Sequence, residues 1–371
     1  MKKILYSCGI DTSGYSNGAR TYIHGLYKNK EAHIRVKINN VANNINTIGI
    51  DPKDLDFFYS ISSNKINDFD YFIQHNIPDR YIFSDKKCHI GYTIAEMHIP
   101  QRWVSICNFF DIIITPSVFS KKMFIESGMK EEKIHIIPHC YDYEKWNINI
   151  KPLEIDGLKD FNFLFVGDYT PRKGGDILIR NYLKTFRGIK NVTLTIKAYF
   201  NSFSKKDQDN LVKRIKKIVK DSLIPEKELP TIYFYGDPID ECTMPSFMQT
   251  FDCLVSPHHG EGWGLCLSQM QSLGKPVIAT NYSGNLDFMK KDISYLIEVS
   301  GFERVCEEME KININFVGKE WVKINEKSLC DLMYEAYNNK DKAMEKGFKA
   351  YNYMRYKYTD DKISKKFLDI L

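Results

Sequence analysis

Residues 251–280 read FDCLVSPHHGEGWGLCLSQMQSLGKPVIAT. DCLVSP is a short apolar run that predicts a buried strand. LCLSQMQSL predicts a short helix with Gly274 as its C-terminal stop, and PVIAT predicts the next strand. The glycines Gly260, Gly262 and Gly264 therefore lie between a strand end and a helix start. Free N–H groups and the positive end of the helix dipole make such a place an anion site, and glycines let a phosphate approach the backbone. Glu261 stands in the middle of this loop.

A second strand-loop-helix series is FNFLFVGDYTPRKGGDILI, residues 161–179. Arg172 and Lys173 fall where the strand has just ended. A guanidinium beside an ammonium suits two adjacent phosphates better than one, and each charge-assisted bond contributes roughly 1.5–3 kcal/mol when partly shielded from water. The N-terminal strand has its own loop, CGIDTSGYSNGARTYIHGL, with Gly14 and Gly18 ahead of a helical run. It does not fit G-x-G-x-x-G, and no acidic residue after the next strand invites a ribose, so a nicotinamide site loses its main support. The backbone at Gly14 and Gly18 is still expected to face a phosphate across a cleft.

Apolar runs of the same kind recur along the chain: KILYSC, YFIQH, CHIGYTIA, IIITPS and KIHIIPH, then FNFLFVG, VTLTIKAY, TIYFYG, DCLVSP and KPVIAT. Segments with helical spacing separate many of them, which is the pattern of parallel sheets covered on both faces. The fold class is α/β, with two Rossmann-like doubly wound domains facing across a cleft. A polar stretch after Pro138 marks the linker. Residues 1–155 are expected to form the first domain and 156–353 the second, with a C-terminal helix at about 354–371 packing back on the first. A chain of 371 residues suits two domains of ordinary size.

The net charge is only +5, and residues 1–150 carry 18 Lys and Arg against 16 Asp and Glu, so no polyanion-binding surface arises and no nucleic-acid partner is expected. Basic charge gathers in KKDQDNLVKRIKKIVKD and DKISKKFLDIL, both with apolar residues at helical spacing. Each reads as a solvated helix face, with weak peripheral membrane contact as the lesser alternative. Nine cysteines without a CxxC pair indicate neither a disulfide framework nor a zinc site. No run suits a signal peptide or a membrane span, so a cytoplasmic protein is expected.

Taken together, these features resemble family 4 of the GT-B glycosyltransferases, the retaining enzymes that use nucleotide sugars and include many bacterial surface-polysaccharide transferases. FVGDYTPRKGGDILI looks like the start of the family's donor domain, SPHHGEGWGLCLSQMQSLGKPVIAT like its donor signature, and TNYSGNLDFM like the loop that follows. GYTIAEMHIPQRWV, IITPSVFSKKMFIESG and IHIIPHCYD match the acceptor half in order. The resemblance implies that Arg172 and Lys173 hold a diphosphate and that Glu261 bonds hydroxyls of the donor sugar. The amides around Gly262, Trp263, Gly264 and Leu265 would complete the phosphate site. It implies a UDP-sugar or GDP-mannose as co-substrate, with no cofactor and no metal. The acceptor would be a glycan, a lipid-linked sugar or another hydroxyl compound.

One position departs from the family. Where its second glutamate would clamp the ribose, this chain has Gln269, which offers one accepting oxygen instead of two. The expected loss is about tenfold in donor affinity. In the acceptor half, Glu96 and His98 follow a predicted strand, and only one of them need point inward. His139 reads as structural, and Asn285 as a helix cap or a nucleotide partner. Acidic triplets at 54–56 and 68–70 are common by chance and lie far from the phosphate-type loops, so no metal site is expected. Two other readings remain: a UDP-sugar epimerase of the same shape, and a non-catalytic sugar-nucleotide-binding subunit.

Overall fold

The apolar runs become the strands of two parallel sheets. The computed structural model describes residues 1–39, 47, 49–65, 68–84, 88–200 and 202–371. They divide into two units, one of residues 1–144, 240–242 and 355–371, the other of residues 145–239 and 243–354.

In the first unit, β1 (Lys2–Cys8), β2 (Ala32–Ile38), β3 (Tyr71–His75), β4 (Cys88–Tyr92), β5 (Ile112–Thr115) and β6 (Ile134–Ile136) form a parallel sheet in the order β2-β1-β3-β4-β5-β6. Helices α1 (Gly14–Lys28), α2 (Pro52–Ser60), α3 (Gln101–Asn108) and α4 (Val118–Glu126) connect them. The side chain of Ser13 caps α1 by accepting from the Ser16 amide, and Ser117 caps α4 in the same way. The first unit's core gathers Tyr6, Tyr22, Phe72 and Tyr92, all buried. The segment 240–242 joins this unit because Glu241 takes the buried Arg20 guanidinium and its amide donates to Gly49 O.

In the second unit, β7 (Phe161–Asp168), β8 (Val192–Tyr199), β9 (Thr231–Tyr235), β10 (Cys253–Ser256), β11 (Val277–Thr280) and β12 (Tyr295–Ile297) form a parallel sheet in the order β12-β11-β10-β7-β8-β9. Counted from β7, this is the 3-2-1-4-5-6 Rossmann order. An antiparallel hairpin of β13 (Val299–Arg304) and β14 (Glu320–Ile324) stands apart from the main sheet. The helices are α5 (Gly175–Thr185), α6 (Lys205–Asp221), α7 (Met244–Gln249), α8 (Leu265–Ser272), α9 (Glu307–Ile312), α10 (Glu326–Asn338) and α11 (Lys340–Lys357). Phe161, Phe163 and Phe165 alternate along β7 into one core with Leu178 and Tyr182 of α5 and with Phe186, which follows it.

The boundary lies at 144/145 and not at 155/156, because the polar stretch leans on the second unit. Leu153 N donates to Thr250 Oγ1 at 2.9 Å, and Gln249 Nε2 donates to Ile148 O at 3.1 Å. The last helix, α12 (Asp360–Asp369), belongs to the first unit. Its Leu368 carbonyl accepts from Lys2 Nζ, Asp360 pairs with Lys28 at 3.0 Å, and Phe367 packs on the rings of Tyr6 and Tyr22.

Candidate functional site

In an open doubly wound sheet, ligands bind beyond the carboxyl ends of the strands where the strand order reverses. In the second unit this point lies between β7 and β10, neighbours in the sheet though strands one and four in sequence. The loop after β7 carries Arg172 and Lys173, and the loop after β10 carries Glu261, so the topology alone brings the sequence candidates together.

The two loops are fastened to each other. Pro171–Lys173 forms a single 3-10 turn, and Gly174 then takes φ +74° before α5. A side chain at Gly174 would place its Cβ 2.1 Å from the Pro257 carbonyl oxygen, so only glycine fits there. His259 N donates to Arg172 O at 2.8 Å, and Arg172 Nη1 donates to Gly260 O at 2.7 Å.

Glu261 is 7% exposed. Lys173 Nζ donates to its Oε1 at 2.5 Å, and Arg172 Nη1 lies 3.6 Å from Oε2. Burial alone would push this carboxyl up; Lys173 and then Arg172 overrule burial and hold it at about 2. Lys173 also reaches Asp168, at 4.0 Å. The Glu261 backbone is fixed as firmly as its side chain. Its amide donates to Ser283 Oγ at 2.9 Å, and its carbonyl accepts from Gly284 N at 2.9 Å. Ser283 takes φ +82° and ψ −159°, a region otherwise left to glycine. Such strain costs about 1–3 kcal/mol and persists where the surroundings over-determine it.

Asn285 is not a helix cap. It is fully buried, its Nδ2 donates to Thr280 O at 2.9 Å, and its Oδ1 accepts from Ser283 Oγ at 3.2 Å. The 3-10 turn Gly284–Asp287 has no side-chain cap. Asn285 therefore anchors Ser283, and through it the Glu261 amide.

Behind Glu261, Gly262, Trp263 and Gly264 are buried and lead into α8. Gly264 takes φ +95° at the N-cap, and no side chain caps the helix. The amides of the first turn at Leu265 thus face the Glu261 loop with the positive end of the helix dipole. Trp263 secures the approach by donating its indole N–H to Ser268 Oγ at 3.2 Å and packing on Phe288. Gln269, one turn further along, is 8% exposed.

Two histidines of this loop were not foreseen as site residues. His258 is fully buried, and burial first holds its ring at about 3, neutral beside Glu261, Lys173 and Arg172. His259 stacks on Trp321 at 4.0 Å and donates from Nδ1 to Val322 O at 2.7 Å, so hairpin strand β14 fixes its tautomer. Burial holds it at about 4. The sequence shows the HH pair but not the hairpin that orients it.

The first-unit candidates fare differently. Gly14 is the exposed first residue of α1. Gly18 is buried within α1, and a Cβ there would lie 2.4 Å from His139 Cε1. The missing side chain at Gly18 makes room for an imidazole. His139 is structural as expected: it stacks on Tyr22 at 5.4 Å, bonds Tyr92 Oη at 3.3 Å, and burial holds it at about 3. β4 ends at Tyr92, so Glu96 and His98 lie on the loop beyond it, where strand alternation does not apply. His98 turns outward, 53% exposed, to Glu126 at 3.2 Å. Glu96 is half-buried. The acidic triplet 54–56 lies on α2 and not in a loop, with Asp54 3.1 Å from His24 Nε2. Asp70 accepts from Lys3 N. Among the described residues no three His, Cys, Asp or Glu groups converge as metal ligands, and no helix is long and apolar enough to cross a membrane.

Residues 160–315 match the family model for group 1 glycosyl transferases. The capsular polysaccharide biosynthesis glycosyltransferase CapM of Staphylococcus aureus is 25% identical over 231 residues, 60% of this chain and 57% of that protein. The uncharacterized glycosyltransferase MJ1178 of Methanocaldococcus jannaschii is 34% identical over 126 residues, 34% of this chain and 30% of that one. The matches thus span about half or less of these relatives. Among solved structures, Anabaena Alr3699/HepE in complex with UDP and glucose superposes with a TM-score of 0.69 at 12% identity, over 100% of this chain and 99% of that one. Sucrose-phosphate synthase from Thermosynechococcus elongatus superposes with a TM-score of 0.70 at 11% identity, over 100% and 98%. With two parallel six-stranded sheets in one chain, these likenesses establish the two-domain Rossmann-like GT-B fold.

Proposed function

We propose that this protein is a retaining glycosyltransferase that moves a hexose from a nucleotide diphosphate sugar, a UDP-sugar or GDP-mannose, to a hydroxyl of a glycan or similar acceptor. The observation that carries this reading is the Glu261 carboxylate held between Lys173 and Arg172 at the switch point of the second sheet. It lies in the segment that matches group 1 glycosyl transferases. HepE, solved with UDP-glucose, and CapM, named for capsular polysaccharide synthesis, support the donor class and a role in surface glycan synthesis.

In this reading Arg172, Lys173 and the first-turn amides of α8 take up negative charge as it grows on the diphosphate oxygens. A preorganised, water-poor setting makes such stabilisation large. Glu261, ionised at neutral pH, accepts from hydroxyls of the donor sugar and fixes its orientation. Gln269 accepts from one ribose hydroxyl. The incoming hydroxyl attacks on the face the leaving diphosphate quits and passes its proton to the departing diphosphate oxygen, which retains configuration. Glu96 is the acceptor-side group we assign beside the anomeric carbon, and no metal takes part.

The test is incubation with UDP-sugars and GDP-mannose, with the product's anomeric configuration read by NMR. An α-linked product from an α-linked donor supports retention; a β-linked one removes it. An epimerised sugar formed without acceptor would favour the epimerase. Activity that appears only on Gln269→Glu would favour the non-catalytic subunit.

A further inference from the structure

Lys197 lies on β8 one strand away from the Arg172 loop, in register with Val166 of β7 and Tyr235 of β9. It is 7% exposed, and among the described residues its ammonium meets no hydrogen-bond acceptor or ion-pair partner. Burial pulls it down to about 8, with Asp237 and Cys266 the ionisable groups that oppose the shift. Its register partner Val166 precedes Gly167, beside which the Lys173 stem lies, so Lys197 neighbours the strand end that leads into the Arg172 loop. Two aromatic rings flank its Nζ, Phe203 at 5.4 Å and Tyr235 at 5.7 Å from the centroids. Tyr199 packs on Phe203 at 4.7 Å and widens the apolar ledge. Gln208 ties the ledge to a carboxylate, donating from Nε2 to Phe203 O at 3.1 Å and to Asp237 Oδ1 at 3.2 Å.

An ammonium on a largely buried side chain, with aromatic rings and no oxygen as its neighbours, favours a ligand that supplies an accepting oxygen. The rings beside it offer planar faces for stacking, and the carboxylate nearby repels a phosphate. A planar ring with an accepting oxygen next to an N–H fits this combination: the oxygen faces Lys197 and the N–H faces Asp237. Uracil and guanine have that edge, whereas cytosine and adenine place an amino group where the keto oxygen would be.

We propose that Lys197 and Asp237, on the ledge of Phe203 and Tyr235, are the specificity-determining residues that select a keto nucleobase, uracil or guanine, over cytosine and adenine. This rests on the reading of the second unit as a nucleotide-sugar site and deepens it. Lys197 donates to the keto oxygen, and Asp237 accepts from the adjacent ring N–H through the oxygen not bonded to Gln208.

Calorimetric titration with UDP, GDP, CDP and ADP tests this on the wild type, Lys197→Met and Arg172→Ala. The wild type should bind UDP or GDP at least about tenfold tighter than CDP and ADP. Lys197→Met should lower the tighter affinity about tenfold and bring the four within about threefold of one another. Arg172→Ala should weaken all four alike. Wild-type preference for CDP or ADP overturns the proposal without needing any variant, and so does an unchanged keto preference in a folded Lys197→Met. Should Lys197→Met fail to fold, uridine against cytidine as competitors for the wild type decides the point, with equal competition overturning it. Binding of none of the four nucleotides overturns the nucleotide-sugar reading itself.

Discussion

Replacing Lys173 by methionine removes the ammonium 2.5 Å from Glu261 Oε1 but keeps an apolar stem beside Gly167. Glu261, 7% exposed, is then left with Arg172 at 3.6 Å as its charged partner. In the wild type burial raises this carboxyl, and Lys173 ahead of Arg172 draws it from 4.5 to about 2. A shift of that size corresponds to roughly 3 kcal/mol of charge stabilisation. With Lys173 the larger contributor, the variant should lose about 2 kcal/mol, less than the 3–5 kcal/mol for a buried charge with no partner left. Urea unfolding followed by tryptophan fluorescence reads this as a midpoint lowered by about 1 M. The sign with pH is fixed by the depressed carboxyl. Its contribution is complete above 4.5 and is lost as pH falls through about 2, so the gap between wild type and variant closes in acid. Adding Glu261→Gln to Lys173→Met should restore part of the loss, because the buried carboxylate is then neutral and Arg172 keeps its bond to Gly260 O. A loss under about 0.5 kcal/mol near neutral pH, or a double variant weaker than the single one, would refute this account of the ion pair.

Other expectations follow from single contacts. Gly18→Ala drives a Cβ into the His139 ring and should cost about 1–3 kcal/mol; an unchanged melting temperature would show that the α1 packing is misread. Gln269→Glu should tighten nucleotide binding about tenfold in calorimetry, and no gain would end its ribose role. His258 at about 3 and His259 at about 4 both stay neutral as the pH of an activity assay rises from weakly acidic to neutral. A rate inflection near the ordinary histidine range that vanishes in His259→Asn would contradict that.

The anion loops were legible because their signals are local: glycines between a strand end and a helix start, and two cations after an apolar run. Their convergence also follows from sequence once ten apolar runs imply two doubly wound sheets. What stayed hidden depends on distant partners. Gly18 looks like a phosphate glycine by position, and only the fold brings His139 against it. Asn285 offers the same amide whether it caps a helix or anchors Ser283, and the choice is made by Thr280 and the Glu261 amide. β2 escaped notice because AHIRVKI alternates polar and apolar residues at a sheet edge, and β13 because its VSGFER is largely exposed. Lys197 sits inside a run that reads as buried strand, and nothing in VTLTIKAY tells that its ammonium meets the rings of Phe203 and Tyr235.

The measurement closest to the central claim is release of nucleoside diphosphate from UDP-sugars and GDP-mannose in the presence of EDTA, compared between wild type and Arg172→Ala. Turnover with one donor should survive the chelator and fall at least about a hundredfold in the variant, as removal of a main charge stabiliser should produce. Release that needs a divalent metal, or a variant within about threefold of wild type, would contradict it.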